Sequence, residues 1–326
     1  MKRADFLRGL GALAVAAPVA APAIVRGQGT YPDKQIRMVI PFAPGGTTDL
    51  LARAVAQHFS QAWGQPVVSD NRAGANGVVA GEIVAKAPGD GYTLSVVAMG
   101  HAINPLIYKK LPYDGDRDFT PISLIATFPQ LVLVHPSVKA ATLPELLALA
   151  KAASPPMTYA SGGNGSSQHL AGALLAHMAG VTMTHVAYKG GNPAQLDLMA
   201  GNVNMMITQP NSADLVTSGR MRALAVSSTR RSPYYPNLPT VAEAGVPGYQ
   251  SVAWYGLVGP RDMSEALVKR LADEAVRATK SEAVKGIVAS QGGDIAGSSP
   301  REFADFIAAE RQRYAAIVQA AGMMVE

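Results

Sequence analysis

Short apolar runs rich in β-branched residues alternate with helix-period segments along most of this 326-residue chain. The run Ile36–Ile40 is followed by a segment, 47–63, in which Leu51, Val55 and Phe59 recur every four positions on one face. A second series of the same kind starts at residue 131. Alternating strands and helices are typical of α/β architecture with mostly parallel sheets, so two such series predict two similar lobes.

The two series also predict the lobe boundaries. Residues 31–127 together with 255–326 are expected to form lobe 1 and residues 128–254 lobe 2, since the three C-terminal helical segments have only one strand before them. The stretch 99–119 shows no regular pattern. The remaining predicted strands are 66–68, 93–98, 131–135, 158–161, 183–188, 203–208, 222–227 and 252–258, and the remaining predicted helices are 76–87, 143–152, 166–179, 193–200, 213–218, 265–279, 282–290 and 300–321.

The N-terminus has the pattern of an export signal. Lys2, Arg3 and Arg8 precede an apolar run over 10–25, and 21–23 offers a small-x-small cleavage site. Two prolines interrupt the run, which makes it a poor bilayer span, because a span needs about 20 unbroken apolar residues. We therefore expect a signal peptide over residues 1–23, with cleavage possible up to about residue 28, and a periplasmic mature protein.

Composition excludes several kinds of site and partner. The chain has no cysteine, which excludes disulfides, thiolate metal sites and cysteine nucleophiles. The net charge is +5, and removal of residues 1–23 leaves +3. No run of five basic residues accompanies this small surplus, so no nucleic-acid partner is expected. The histidines form no HExxH pattern, and no metal is expected.

The loop over 41–49, between the first predicted strand and helix, has two possible roles. Gly45 and Gly46 let the backbone turn sharply and approach a ligand closely. The helix that follows begins with unpaired N–H groups and a partial positive charge, which suits an anion. Alternatively, Thr47 or Thr48 caps an ordinary turn.

A second loop with the same strand–glycine–helix plan spans 159–169. Its hydroxyls, on Ser161, Ser166 and Ser167, suit either a carboxylate ligand or a helix cap. The loop matches neither a Walker A motif nor a dinucleotide fingerprint, so no cofactor is expected. Because ligands bind at the carboxyl ends of parallel strands, two such loops on separate lobes predict one shared cleft. Opposed helix N-termini would suit a small molecule with two acidic ends.

A third loop, 188–193, also leads into a helix. Tyr188 is placed to close over a small ligand, and Lys189 would be the cation nearest to such a site. A solvated lysine on a turn is the commoner arrangement, so both interpretations of Lys189 stay open.

Catalytic signatures are weak. No GxSxG nucleophile elbow occurs. Ser166 could act as a nucleophile with His101 or His169 as its base, but no acid that would orient the histidine can be assigned. A serine-dependent hydrolase is kept as an alternative, and a protein without enzymatic activity is expected.

Seven segments together resemble a known family. They are PFAPGGTTDLLAR (41–53), NRAGANG (71–77), GDGYT (89–93), YASGGNGSSQH (159–169), YKGGNPAQLDLMAG (188–201), RALAVSS (222–228) and LPTVAEAGVPGY (238–249). In this order, over nearly the whole mature chain, they resemble the solute-binding receptors of tripartite tricarboxylate transporters, the Bug or TctC family. Departures are small: Asp70 stands where the family tends to have Glu, and residues 185–187 precede Tyr188 where Val-Pro is usual.

The resemblance implies a type II periplasmic-binding-protein fold, with two α/β lobes, two connecting strands and a cleft that closes on the ligand. In the family, the loops that match 42–49 and 161–167 hold the ligand, largely through backbone N–H groups and bridging waters. His101 and Tyr188 are weaker additions, and Asp49 matches a family position but could instead serve the helix dipole. The residues that take the binding role by resemblance are Phe42, Ala43, Gly45, Gly46, Thr47, Ser161, Gly162, Gly165 and Ser166.

The resemblance also implies a function. It predicts capture of a small carboxylate or related polar metabolite and its delivery to the membrane subunits of a tripartite tricarboxylate-type transporter, with the receptor acting as a monomer. A receptor of the same fold that presents its ligand to a sensor kinase is an alternative, and no sequence feature separates the two. Loops that bind through backbone groups encode little of a ligand's identity, so the prediction names a class of ligand.

Overall fold

A computed structural model of the protein describes residues 31–209, 214–320 and 322–323, and the predicted signal peptide lies outside them. No helix in these ranges is long and apolar enough to cross a membrane. The strands are β1 (Ile36–Ile40), β2 (Val67–Asn71), β3 (Thr93–Ala98), β4 (Phe119–Pro129), β5 (Leu131–Val134), β6 (Thr158–Ser161), β7 (Thr184–Ala187), β8 (Met205–Thr208), β9 (Arg222–Val226), β10 (Val252–Pro260) and β11 (Asp294–Ile295). The helices are α1 (Thr47–Trp63), α2 (Val78–Ala85), α3 (Gly100–Ile107), α4 (Leu143–Ala152), α5 (Ser167–Ala179), α6 (Gly191–Ala200), α7 (Asp214–Thr217), α8 (Glu265–Thr279), α9 (Glu282–Ser290) and α10 (Pro300–Ala320).

The strands form two sheets, which confirms the prediction of two α/β units. The first sheet has the order β11-β4-β10-β3-β1-β2, and the second has the order β7-β6-β8-β5-β9. Both sheets are mixed. β1 is parallel to β2 and β3, and β6 is parallel to β7 and β8, whereas β10 and β5 are antiparallel to both of their neighbours. The parallel strands of each sheet are the ones that lead into the glycine loops.

The helix α1 shows why the sequence pattern was informative. Leu51, Val55 and Phe59, which recur on one face, are all fully buried, and they pack in one apolar cluster with Ile36 and Met38 of β1. Burying each such side chain contributes about 1.5–3 kcal/mol. The helix ends where Gly64 takes a left-handed conformation, with φ of 66°.

The expectation that 99–119 is irregular is wrong over the first part of that stretch. Residues 100–107 form α3, although Pro105 lies inside it. The long strand β4, which begins at Phe119, was also not predicted. Its Pro121 falls where the pairing with β10 shifts register, the kind of position at which a sheet tolerates a residue without an N–H group.

Two segments connect the sheets: Gln130, between β4 and β5, and residues 227–251, between β9 and β10. Ser227 joins them. Its Oγ accepts from the Gln130 N–H at 2.8 Å and donates to the Ser251 carbonyl at 2.5 Å. Its own N–H donates to the Gln130 carbonyl at 2.8 Å, and its carbonyl accepts from the Ser251 N–H at 2.9 Å. A single buried serine thus ties together the backbones that pass from sheet to sheet.

The C-terminal helix α10 packs on β4 and α3 and also contacts α5, which lies against the second sheet. It reaches the segment between the sheets as well, because the Tyr314 hydroxyl hydrogen-bonds Ser251 Oγ at 2.9 Å. The lobe boundaries at 127/128 and 254/255 stay predictions.

Candidate ligand-binding site

The first glycine loop links β1 to α1, and its two glycines differ. Gly45 has a φ of 89°, which favours glycine. Gly46 is the N-cap of α1 with φ of −82° and ψ of 168°, an extended conformation open to any residue, and a Cβ there would meet nothing within 4 Å. The turn therefore depends on Gly45, whereas Gly46 leaves open space in front of the helix start. No side chain caps α1.

Asp49 lies behind this loop and fixes its shape. It is 3% exposed, and its carboxylate accepts from the Gly45 N–H at 3.0 Å, from Arg53 Nε at 3.0 Å and from Asn71 Nδ2 at 2.8 Å. Burial alone would raise the pKa of Asp49, but the Arg53, Gly45 and Asn71 hydrogen bonds outweigh it and hold the pKa below its ordinary value of 3.8. Both carboxylate oxygens of Asp49 therefore already accept hydrogen bonds from protein groups.

The second glycine loop links β6 to α5, and its serines face inward. Ser166 is the N-cap, with its Oγ accepting from the His169 N–H at 3.3 Å. Ser161 is fully buried, and its Oγ hydrogen-bonds His185 Nε2 at 2.6 Å. Gly165 contacts the unit that contains the first sheet, because its carbonyl accepts a hydrogen bond from Asn76 Nδ2 at 3.0 Å. This contact joins the second glycine loop to the segment that precedes α2 in the first unit.

Two histidines behind the second loop form a stacked pair. The rings of His169 and His185 are 3.7 Å apart with an angle of 7° between their planes. Burial lowers the pKa of His169 to about 3, with His185 adding to the effect, and burial lowers the pKa of His185 to about 4. Both rings are therefore neutral at neutral pH. His169 Nδ1 accepts from the Gly165 N–H at 3.2 Å, which supports the loop.

The third loop brings the start of α6 beside that of α5. The Gly190 N–H donates to the Gly162 carbonyl at 3.2 Å, and a Cβ on Gly162 would lie 3.1 Å from the Gly191 nitrogen. The Tyr188 hydroxyl donates to Asp197 within the same unit at 2.5 Å, and Lys189 is exposed. Tyr188 is thus held by Asp197 in this structure.

His101 lies at the start of α3, behind the first glycine loop. Its ring meets Phe119 edge-on at 4.8 Å, and it lines a small cavity with Phe42, Asn76 and Tyr113. Burial and the charge of Arg311 lower its pKa to about 4. In the alternative enzymatic interpretation, the ring of His101 or His169 would accept a hydrogen bond from Ser166 Oγ. Among the described residues no such bond is present, and Ser166 Oγ instead caps α5.

The structure adds residues that sequence reasoning missed. Tyr255 of β10 is buried, which raises the pKa of its hydroxyl, and hydrogen bonds with Thr47, Gln209 and Thr48 oppose that rise. These contacts join the start of α1 to the carboxyl end of β8 in the other sheet. A tyrosine within the otherwise apolar strand 252–258 was the signal that could have found it.

The geometry at the carboxyl ends of β1, β6 and β8 suits an anion. The start of α6 lies beside that of α5, the start of α1 is joined to Gln209 through Tyr255, and α1 and α6 have no side-chain cap. Backbone N–H groups at such starts, with the partial positive charge of the helix, bind carboxylates well. Neutral donors, from Tyr255 and threonine and glutamine side chains, surround them.

Comparison with known proteins agrees with this picture. The sequence pattern of the family described as "Tripartite tricarboxylate transporter family receptor" (TctC) matches residues 51–323. The chain belongs to this family. Its fold is accordingly that of a periplasmic solute-binding receptor, as the architecture predicted.

Three solved structures are similar to this chain over most of their length. R. palustris Rpa4515, solved with adipate, is 37% identical with a TM-score of 0.81, over 90% of this chain and 98% of that one. The periplasmic binding protein BugD is 28% identical with a TM-score of 0.80, over 91% and 100%. MatC from Rhodopseudomonas palustris, solved with bound malate, is 32% identical with a TM-score of 0.79, over 88% and 100%.

Proposed function

We propose that this TctC-family receptor captures a small carboxylate between its two sheets and delivers it to the membrane subunits of a tripartite tricarboxylate-type transporter. The observation that carries the proposal is the uncapped start of α1, which faces open space at Gly46 and is joined through Tyr255 of its own sheet to Gln209, which follows β8 of the other sheet. The adipate and malate of the similar structures support a carboxylate as ligand class.

The proposed contacts combine direct and supporting residues. Gly46 and Thr47 present the helix start to the ligand, and Phe42, Ala43 and Gly45 shape the loop that holds it there. Ser161, Gly165 and Ser166 already hydrogen-bond other protein groups around the second loop, so they would support its backbone and leave the remaining N–H groups at the start of α5 to the ligand. Gly162 would permit close packing against the third loop. Three further residues are proposed to act indirectly, by positioning the groups that they contact: Asp49, Tyr188 and His101.

Binding should stabilise the protein in proportion to ligand occupancy. A ligand at one hundred times its dissociation constant contributes about 2.7 kcal/mol, which corresponds to roughly 5–10 °C in melting temperature for a chain of this size. The test is a melting series on protein stripped of co-purified ligand, with mono-, di- and tricarboxylates, aromatic acids and acidic amino acids. A flat response across this panel would overturn the proposed ligand class.

The proposal also covers export, partner and oligomeric state. We infer a signal peptide over residues 1–23, a periplasmic monomer and no nucleic-acid partner. N-terminal sequencing of the periplasmic fraction tests the cleavage, and an intact Met1 there would contradict it. Loss of ligand uptake on deletion of the receptor gene would support transport, whereas unchanged uptake with loss of a ligand-induced kinase response would favour the sensor alternative.

The absence of enzymatic activity is part of the proposal. Ser166 Oγ serves as the cap of α5, and Ser161, which does contact a histidine, is fully buried. An assay for turnover of esters and amides, with Ser166→Ala as the control, tests this. Turnover by the wild type that the substitution abolishes would establish the hydrolase alternative.

A further inference from the structure

A group of glutamine side chains meets at the carboxyl end of β8, the edge at which parallel strands present ligands. Its members come from separate elements: one precedes β5, one lies in α5, one lies in α6 and one directly follows β8. It adjoins the proposed site on two sides, through Ser167 at the start of α5 and through Tyr255 beside α1. This glutamine cluster consists of Gln130, Gln168, Gln195 and Gln209.

Two members of the cluster are deeply buried and carry an unpaired oxygen. Gln130 is 1% exposed and Gln195 is 3% exposed. The Oε1 atom of each has no hydrogen-bond partner among the described residues. Buried polar atoms in folded proteins are nearly always paired with protein or water, so each of these two oxygens is an open acceptor for a donor from a ligand or from water.

The direction of each amide is fixed by what its nitrogen faces. Gln130 Nε2 lies 3.5 Å from the Ile207 carbonyl oxygen, and Gln195 Nε2 lies 3.2 Å from the Gln209 carbonyl oxygen. A carbonyl oxygen can only accept, so the NH₂ end of each amide must face it and the oxygen end is left over. The cluster thus offers two acceptors, and the unpaired Gln209 Nε2 adds one donor.

We propose that the glutamine cluster makes this receptor select carboxylates that bear a hydroxyl group over the same acids without one. The inference rests on the proposed function. An ionised dicarboxylate has only acceptors, so the helix N–H groups and Gln209 Nε2 can pair with it, but the oxygens of Gln130 and Gln195 stay unpaired. A ligand hydroxyl donates to such an oxygen while the adjacent carboxylate accepts from the helix start.

The surroundings favour a hydroxyl over an ammonium group as that donor. The side-chain hydrogen bonds of the cluster go to Ser167, Thr208, Tyr255 and backbone carbonyls, with no aspartate or glutamate among these described partners. A buried ammonium group is costly without a compensating anion, whereas a hydroxyl is neutral. The selected class is therefore hydroxy acids, with amino acids as the contrasting class.

Titration calorimetry on the ligand-stripped full mature protein tests the proposal with matched acids. The pairs are succinate with malate and glutarate with 2-hydroxyglutarate, and aspartate serves as the amino analogue of malate. We expect each hydroxy acid to bind about tenfold or more tighter than its partner, because a buried acceptor left unpaired is penalised.

Variants assign the preference to the cluster. Gln195→Met keeps the length of the side chain and removes the amide, so the hydroxy-to-plain affinity ratio should fall toward one. Gln130→Met is the second variant, and the exposed Gln57→Met on α1 is the matched control, for which the ratio should not change.

The outcomes separate the two proposals. If plain acids bind as tightly as their hydroxy partners, or aspartate binds tighter than malate, the inference is overturned while the carboxylate function stands. The same holds if both cluster variants fold and keep the wild-type ratio. If no acid of the wider carboxylate panel binds, the proposed function and the inference fall together.

Discussion

Asp49 is the residue on which the shape of the first glycine loop depends. Its carboxylate holds the Gly45 N–H, Arg53 and Asn71 at once. We expect Asp49→Asn to destabilise the protein by about 1–3 kcal/mol at pH 7, since the buried network loses its negative charge and one of its two acceptor oxygens. Urea unfolding measures this, with the exposed Asp305→Asn as control.

The same contact has a pH signature. The pKa of Asp49 is lowered in the folded state, so its stabilising contribution is present above the ordinary value of 3.8 and is lost as pH falls through the lower folded value. The difference between wild type and Asp49→Asn should therefore shrink below about pH 4. A difference that stays constant from pH 7 to pH 3 would contradict this role.

Gly46 tests whether the ligand reaches the start of α1. Because its backbone is extended and its Cβ would meet open space, Gly46→Val should fold, with a loss of about 1 kcal/mol or less from the poorer N-cap residue. The added side chain would occupy the space proposed for the ligand, so we expect affinity to fall by more than about tenfold, or 1.4 kcal/mol. Calorimetry measures the affinity.

The exposed Lys189 is the counterpart, and Lys189→Ala should weaken binding by no more than about tenfold, since water can replace one solvated charge. If folded Gly46→Val binds like wild type while Lys189→Ala loses a thousandfold, a side-chain ion pair holds the ligand and the first loop is not its primary site.

At this scale the sequence predicted which loops to inspect but not what each residue does there. The glycine pattern pointed to 41–49 and 159–169 because a tight turn and the start of a helix depend on neighbouring residues in the sequence. That Gly45 alone takes a positive φ, that Ser166 caps its helix, and that Gln195 keeps an unpaired oxygen all depend on contacts between distant segments.

Among the elements, the two segments between the sheets depend on Ser227. It is fully buried, and its side chain bridges the Gln130 N–H and the Ser251 carbonyl. We expect Ser227→Ala to lower the free energy of unfolding by about 1–3 kcal/mol, because two backbone groups lose their partner. Denaturant unfolding measures the loss.

The matched control is Ser290→Ala, because Ser290 is exposed and its hydroxyl donates only to a carbonyl of its own helix. That change should stay within about 0.5 kcal/mol. Equal, small losses in both variants would show that Ser227 does not tie the connecting segments together.

Element prediction succeeded where local pattern decides the outcome. The bounds of β1, α1, β3, α4, β6, α8 and α9 were predicted as the structure has them. It failed for α3 and β4, because Pro105 and Pro121 argue locally against a helix and a strand. Both prolines are tolerated for tertiary reasons, Pro121 through the register shift against β10, which no single-segment pattern records.

On the scale of the whole molecule, the alternation of elements predicted two sheets, while the placement of α10 against both could not be foreseen. A helix of 21 residues has no local feature that names its packing partners. Its contacts with β4, α3 and α5, and the Tyr314–Ser251 hydrogen bond, arise only after the chain has folded back.

Acid should destabilise the whole protein through one buried and two half-buried histidines. The pKa values of His101, His169 and His185 are lowered to about 4, 3 and 4 from an ordinary value of 6.5. Between pH 6.5 and about 4 the unfolded chain therefore binds protons that the folded chain does not, and the free energy of unfolding falls as pH falls. Each proton contributes about 1.4 kcal/mol per pH unit, so the slope approaches three times that value near pH 5.

Other groups set the edges of this window. Burial raises the pKa of Glu310, which opposes the histidines near its lower end, and carboxylates with lowered pKa values such as Asp49 add to the loss only below about pH 4. Urea unfolding from pH 7.5 to pH 4.5 measures the slope, and His169→Gln should reduce it by about one proton even if it also lowers stability at pH 7.5. His185→Gln provides an independent second measurement. A slope that neither substitution changes would mean that His169 and His185 titrate alike in the folded and unfolded chain. The assignment of two rings that stay neutral behind the second loop would then be wrong.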